Sequence, residues 1–198
     1  MLYWFGKIVC TIPTWLVYRP LIYGYKNLFF KGKGIVISNH FSLLDPLWLG
    51  FVSPRNLHFM AKKEIFTTPL KRFLLKLLLA FPVNRHHADI VSLKQAISIL
   101  NRGRVFGIFP EGKRSITGEL DTFEKGAAFL ALRCNAPIIP VYCDPKMYRR
   151  LRIRMIVGEP IDAKKVAETQ PGKPAEAVAL YLRDTMQELK NRMEEMMA

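Results

Sequence analysis

Short apolar runs recur along this chain at Ile35–Ile37, Leu57–Ala61, Phe81–Val83, Val105–Phe109 and Ile138–Tyr142, and helical patterns separate several of them. A strand apolar at every position has to be covered on both faces, which a mostly parallel sheet between helices provides. The helical signal is clearest over Ala88–Asn101, where Ile90, Leu93, Ile97 and Leu100 share one face and Gly103 follows as a stop. A second helix is expected over Glu124–Arg133. A third runs from Pro174 onward, with Val178, Leu182, Met186, Leu189 and Met193 at helical spacing. Arg150–Val157 alternates Leu151, Ile153 and Met155 with Arg150, Arg152 and Arg154, which predicts a strand with one core face and one row of guanidinium groups. At 198 residues the chain fits one such domain. The expected fold is a single α/β domain with a mostly parallel central sheet flanked by helices.

Charge points to the kind of partner. Half the residues are hydrophobic and 23% are charged, which excludes a disordered tail or a linker. Lys and Arg outnumber Asp and Glu by 30 to 16, giving +14. The excess lies early: through Arg85 there are twelve basic residues and two acids, Asp45 and Glu64. The N-terminal part therefore faces something negative, such as an anionic membrane, a phosphorylated metabolite or nucleic acid. Nine of the first thirty residues are aromatic. Their longest uncharged run, Ile8–Tyr18, has eleven residues, short of the roughly 18 a spanning helix needs. Residues 1–30 thus read as an in-plane segment at an anionic membrane interface, ahead of a domain over 31–198. A helix docked on the protein's own core fits the same residues. Pro69–Phe81 is apolar apart from Lys71, Arg72 and Lys76, and suits either a buried helix with outward cations or a lipid-facing one. Cys10, Cys134 and Cys143 form no CxxC pair and are odd in number, which argues against a disulfide framework or structural zinc and fits a reducing, intracellular setting.

Four segments carry candidate chemistry. Asn39-His40-Phe41-Ser42-Leu43-Leu44-Asp45-Pro46 follows an apolar strand, where sites in open α/β sheets lie. His40 and Asp45 would stand about 140° apart on a regular helix, so pairing them takes a turn. Paired, Asp45 would fix the tautomer of His40 and leave its other nitrogen as a base. Unpaired, His40 would be a strand-end histidine and Asp45 a helix cap before Pro46. Phe109-Pro110-Glu111-Gly112-Lys113-Arg114-Ser115, after another strand, combines a carboxylate, a glycine and two cations suited to a polar, anionic substrate. Phe81-Pro82-Val83-Asn84-Arg85 puts an arginine at a third strand end, and Pro137-Ile138-Ile139-Pro140-Val141 is an apolar strand bracketed by prolines with a structural role. His86, His87 and Asp89 lack the usual ligand spacing, so no metal site is expected. No GxSxG elbow is present and no cysteine adjoins a histidine, so neither Ser42 nor a thiol is supported as a nucleophile.

In this order and at these separations the four segments resemble the 1-acylglycerol-3-phosphate (lysophosphatidic acid) acyltransferase family, over roughly Lys31–Pro160. His40 and Asp45 match its NHxxxxD block and Arg85 the arginine of its second block. Glu111, Gly112, Arg114 and Ser115 match its FPEGxRS block, and Pro140 its proline block. Lys113 replaces the commoner threonine, and Asn84 stands where an acid is often found. The resemblance implies acyl transfer from an acyl thioester, acyl-CoA or acyl carrier protein, to the 2-hydroxyl of lysophosphatidic acid. It implies His40 and Asp45 as catalytic pair, Arg85, Glu111, Gly112, Arg114 and Ser115 as acceptor-binding residues, and no cofactor or nucleic acid. A place at the cytoplasmic face of the cell membrane follows. Another lysolipid or glycerol 3-phosphate as acceptor stays open, as does a non-catalytic basic module that binds anionic lipid or nucleic acid.

Overall fold

The computed structural model describes residues 11–13, 15–77, 79–83, 90–147 and 152–197. Seven strands form one sheet: β1 (Leu21–Tyr23), β2 (Gly34–Ser38), β3 (Leu57–Lys62), β4 (Ala80–Val83), β5 (Val105–Ile108), β6 (Ile138–Cys143) and β7 (Arg154–Val157), in the order β1-β7-β6-β2-β5-β3-β4. β2 to β6 are mutually parallel where they pair, β7 is antiparallel to β6, and β1 is parallel to β7. The expected architecture of a mostly parallel sheet flanked by helices is therefore observed. Helices α1 (Asp45–Val52), α2 (Pro69–Leu77), α3 (Ile90–Asn101), α4 (Gly126–Cys134), α5 (Ala163–Thr169) and α6 (Pro174–Glu195) complete the domain.

The sheet separates two apolar cores. Ile35, Ile37, Phe106, Ile138 and Ile156 face α3, α4 and α6, where Leu100, Leu130 and Leu182 meet them. Val36, Val105, Ile139 and Met155 face the other way, onto Trp48, Leu49 and Val52 of α1. Every residue of β2 and β6 is buried, which is why their sequences read as unbroken apolar runs. Pro140 sits in β6 opposite Ile37 and just past the last β7 pairing, and its carbonyl accepts the Gly158 N–H at 2.8 Å. An edge of the β6–β7 pairing is where a strand proline's missing donor costs least.

The structure departs from the sequence reading in three places. β1 falls inside residues 1–30, so the sheet takes three residues from the stretch read as an interface segment. Three half-buried residues are too few to show a periodicity. The helix expected over Pro69–Phe81 ends at Leu77, because Ala80–Val83 is drawn into the sheet beside β3. Finally, of the strand expected over Arg150–Val157, Arg154–Val157 is strand and residues 152 and 153 are not, with residues 148–151 outside the described set. The row of guanidinium groups breaks down there: Arg154 is largely buried, 3.9 Å from Asp144, while Arg152 is exposed.

β2 and β6 end in a side-chain clasp. Asn39 is buried; its amide donates to the Cys143 carbonyl at 2.9 Å and accepts the Cys143 N–H at 2.8 Å. The side chain thus satisfies two backbone groups that have lost their ladder partner. Beside it, the Ser38 hydroxyl lies 3.4 Å from the Cys143 thiol, whose pKa burial pushes well up. Two substitutions test these packing arguments. Asn39→Ala orphans a buried donor and a buried acceptor and should cost about 2–4 kcal/mol in urea unfolding. Gly107→Ala in β5 would drive a methyl into the ring of buried Phe59, with an expected cost of about 1–3 kcal/mol by the same measurement.

Candidate active site

The site stands where β2 and β5, neighbours in the sheet, reach their carboxyl ends. β2 stops at Ser38, Asn39 is clasped to Cys143, and the chain turns through residues 40–44 into α1. Asp45 is the first residue of α1, fully buried, and Pro46 behind it suits the first helical turn. A buried carboxylate needs donors. One of its oxygens, Oδ2, accepts from Nδ1 of His40 at 2.8 Å, from the Phe41 N–H at 2.8 Å and from the Ser42 N–H at 2.8 Å. The turn is wrapped around this oxygen, which brings together two side chains that a continuous helix would hold apart. His40 and Asp45 form the expected pair.

Asp45 accepts, so Nδ1 of His40 carries the proton and Nε2 holds the free lone pair. The imidazole stacks on Phe109 at 4.1 Å between ring centroids with 22° between planes, and Phe109 stacks in turn on Phe59. The His40 side chain keeps 14% exposure. Its ring is therefore set by a carboxylate at one edge and an aromatic face below, with solvent access remaining.

The loop after β5 holds the backbone of His40. Glu111 is 4% exposed; one carboxylate oxygen accepts the His40 N–H at 3.0 Å and the other the Asp121 N–H at 3.4 Å. Burial pushes its pKa up, and the two backbone donors work against that rise. The Ser115 N–H donates to the His40 carbonyl at 2.7 Å. Gly112 has φ 68°, a left-handed conformation that lets the loop double back so that residues 111 and 115 both reach His40. Lys113 pairs with Asp121 at 2.7 Å across the mouth of this loop; the pair raises the lysine's pKa and lowers that of the aspartate.

Of the acceptor-binding residues read from sequence, Glu111 is turned inward onto backbone amides. The Ser115 hydroxyl accepts the Gly118 N–H at 3.0 Å, and Arg114 is exposed on the loop next to Ser115. Arg85 lies outside the described residues. Ser42 does not resemble a nucleophile, since its hydroxyl accepts the Leu44 N–H at 3.2 Å within the turn. Cys134 and Cys143 are buried free thiols. Three residues were not read as part of the site: Asn39, Phe109 as the stacking platform, and Lys190 of α6, which is largely buried and paired with Glu119 of the site loop. Asn39 and Phe109 lie within the two segments that carry His40 and Glu111. Lys190 carried no signal, being 71 residues from its partner.

Comparison with known proteins gives the family. Residues 19–144 match the acyltransferase family. The chain is 29% identical over 181 residues to the 1-acyl-sn-glycerol-3-phosphate acyltransferase of Bacillus subtilis, covering 88% of this chain and 90% of that protein. It is 34% identical over 141 residues to the enzyme of that name from Limnanthes alba, covering 69% of this chain and 50% of that protein. The chain spans about half the length of several such relatives. The crystal structure of the 1-acyl-sn-glycerophosphate (LPA) acyltransferase from Thermotoga maritima superposes with a TM-score of 0.69 at 20% identity, over 96% of this chain and 81% of that one. The matched segment contains both the His40–Asp45 turn and the Glu111 loop, and this chain belongs to the acyltransferase family.

Proposed function

We propose that the protein transfers a fatty acyl group from an acyl thioester to the free 2-hydroxyl of lysophosphatidic acid, yielding phosphatidic acid, with His40 as general base. The observation that carries the reading is the contact between Nδ1 of His40 and buried Asp45, with the His40 side chain still partly exposed. The names of the relatives supply the acceptor, 1-acylglycerol 3-phosphate.

In this reading Nε2 takes the hydroxyl proton as the oxygen attacks the thioester carbonyl. Asp45, on one of whose oxygens three donors converge, stabilises the imidazolium that forms. The tetrahedral intermediate collapses with cleavage of the C–S bond, and the thiol departs with the proton His40 had taken. A thiol of pKa about 8.5 leaves readily, so one base serves the whole step without acyl-enzyme or cofactor. Arg114 on the site loop and Arg85 after β4 are suited to the acceptor phosphate as charge-assisted forks, with Gly112 and Ser115 shaping the loop that carries Arg114. Acyl-CoA or acyl carrier protein would be the donor, and the part of residues 1–30 ahead of β1 would meet the cytoplasmic face of an anionic membrane. Among the described residues no helix is long and apolar enough to cross one.

Glu111 enters this scheme as a positioning residue, because its carboxylate is occupied by the His40 and Asp121 amides. Two measurements separate the roles. His40→Ala should lower acyl transfer from palmitoyl-CoA to lysophosphatidic acid by about 10²–10⁴-fold, the usual contribution of a general base, with the circular dichroism spectrum unchanged; wild-type rates in the variant would defeat the mechanism. Glu111→Gln replaces one acceptor oxygen by a donor facing a backbone N–H. It should lower kcat while leaving the acceptor KM near its wild-type value, whereas a raised KM at constant kcat would return Glu111 to acceptor binding.

A further inference from the structure

The loop between β5 and α4, residues 109–125, carries Glu111, Arg114 and Ser115, and its two halves are fastened differently. The first half is tied to the backbone of His40 by the Glu111 carboxylate and the Ser115 N–H. The second half reaches α6, where Glu119 accepts from the ammonium of Lys190. Lys190 lies on the buried face of that helix, with Met186 one turn before it and Met193 one turn after. A lysine at the margin of a core ordinarily runs its stem along the apolar surface and lifts its charge into water. Lys190 is buried instead, and a buried ammonium is tolerated only when it is paired.

Burial across this pair is lopsided: the Lys190 side chain keeps 10% exposure and that of Glu119 keeps 66%. The cation is therefore the fixed end, and the loop carboxylate is the end that can come and go. A second carboxylate, Glu194, stands 3.9 Å from the same ammonium, four residues along α6, and is itself largely exposed. Lys190 thus has a partner on its own helix when Glu119 leaves, and release of the loop does not strand a bare charge. The loop's other ion pair, Lys113–Asp121, is exposed on both sides and holds the loop less firmly. Position passes from Glu119 back toward the site. The Gly118 N–H donates to the Ser115 hydroxyl at 3.0 Å, and Arg114 is the neighbour of Ser115. A shift of Glu119 moves the short span that carries Arg114, while His40 keeps its contacts with Asp45, Phe109 and Glu111.

We propose that Lys190 is a positioning residue for the acceptor: by holding Glu119 it sets the span 114–119, and with it the reach of Arg114 toward the substrate phosphate. Glu194 competes for the same ammonium and so lets that span lift. The proposal rests on the acyl-transfer reading and deepens it, placing control of acceptor affinity in α6. Lys190 does not act as a phosphate ligand, because it is buried and already paired. Its effect runs through Glu119, and it belongs to acceptor binding while the proton transfer at His40 is held by other contacts.

The test is steady-state kinetics of the full chain in detergent micelles, with palmitoyl-CoA and lysophosphatidic acid varied in turn. Lys190→Met and Glu119→Gln should each raise the acceptor KM by about tenfold, the low end of what a hydrogen bond to a charged group is worth, with kcat and the donor KM within about twofold. The double variant should add little to either, since both remove one interaction. Lys190→Arg should restore most of the affinity, and Glu194→Gln, which removes the competitor, should lower the acceptor KM. An unchanged acceptor KM in Lys190→Met and Glu119→Gln would overturn the proposal, as would a loss spread over kcat and both KM values. A Glu194→Gln variant whose acceptor KM stays level or rises would overturn the competition between the two carboxylates. Glu119 is mostly exposed, so its variant carries the test should Lys190→Met fail to fold. Hydrogen exchange of the same proteins, read by mass spectrometry over residues 112–124, needs no turnover and should quicken in Lys190→Met and Glu119→Gln. Acyl transfer with unchanged exchange and unchanged KM removes the role of Lys190 alone. Quickened exchange in a protein whose wild type transfers no acyl group removes the acyl-transfer reading and leaves the tether.

Discussion

The arrangement of the site hangs on one buried carboxylate oxygen. Asp45 has no exposure, and Oδ2 receives three donors from consecutive residues of a single turn. An uncompensated charge at that depth would be prohibitive. The turn between β2 and α1 is therefore obliged to close around the oxygen, and closing it is what presents the His40 ring. The constraint works in both directions: the carboxylate is tolerated because the turn supplies donors, and the turn keeps its shape because the carboxylate collects them. Position 45 also anchors α1, whose Trp48, Leu49 and Val52 fill the core beneath the sheet. The local geometry of the site is thus tied to a helix that cannot shift without opening that core.

Glu111 solves a related problem by different means. It too is buried, but its donors are two neutral backbone amides from separate segments, one on each oxygen. Desolvation outweighs these bonds, so its pKa is raised from its ordinary value. Its value is architectural: one side chain spans from the end of β2 to the far side of the loop after β5, and with the Ser115–His40 bond it fastens the loop at two points. Lys190 adds a third point from α6 through Glu119.

What could be read from the residues divides along physical lines. β2, β5 and β6 were legible because a strand covered on both faces spells itself as a continuous apolar run, and β3 because its residues are apolar on either side of His58. β1 was not, because three half-buried residues at a sheet edge show neither a run nor an alternation. The His40–Asp45 pair was legible as a spacing, and the same spacing also fitted an unpaired histidine beside a helix cap; only the turn's closure decides between them. For Glu111 the residue was found but its direction was not. Side-chain type suggests an exposed group for a polar substrate, whereas the loop's reversal at Gly112 points the carboxylate inward. Arg154 misled in a similar way: alternation placed it on a solvent face, and the antiparallel turn of β7 against β6 instead lays it beside Asp144.

The orientation of His40 is over-determined, and each constraint comes from a different part of the chain. Asp45 fixes the ring's edge and Phe109 its face, while Glu111 and Ser115 hold its backbone N–H and C=O. Phe109 leans on Phe59, and Phe59 lies flat against Gly107, where any side chain would collide with it. The stack thereby runs from the middle of β5 to the imidazole. Under the proposed mechanism, a base held on four sides would need little reorganisation when a hydroxyl arrives, and such preorganisation is where proximity and orientation lower a barrier. The residues suited to the substrate's charge, by contrast, sit on exposed loops at the strand ends. Chemistry rests on the rigid sheet, and recognition on what the sheet's edge can afford to vary.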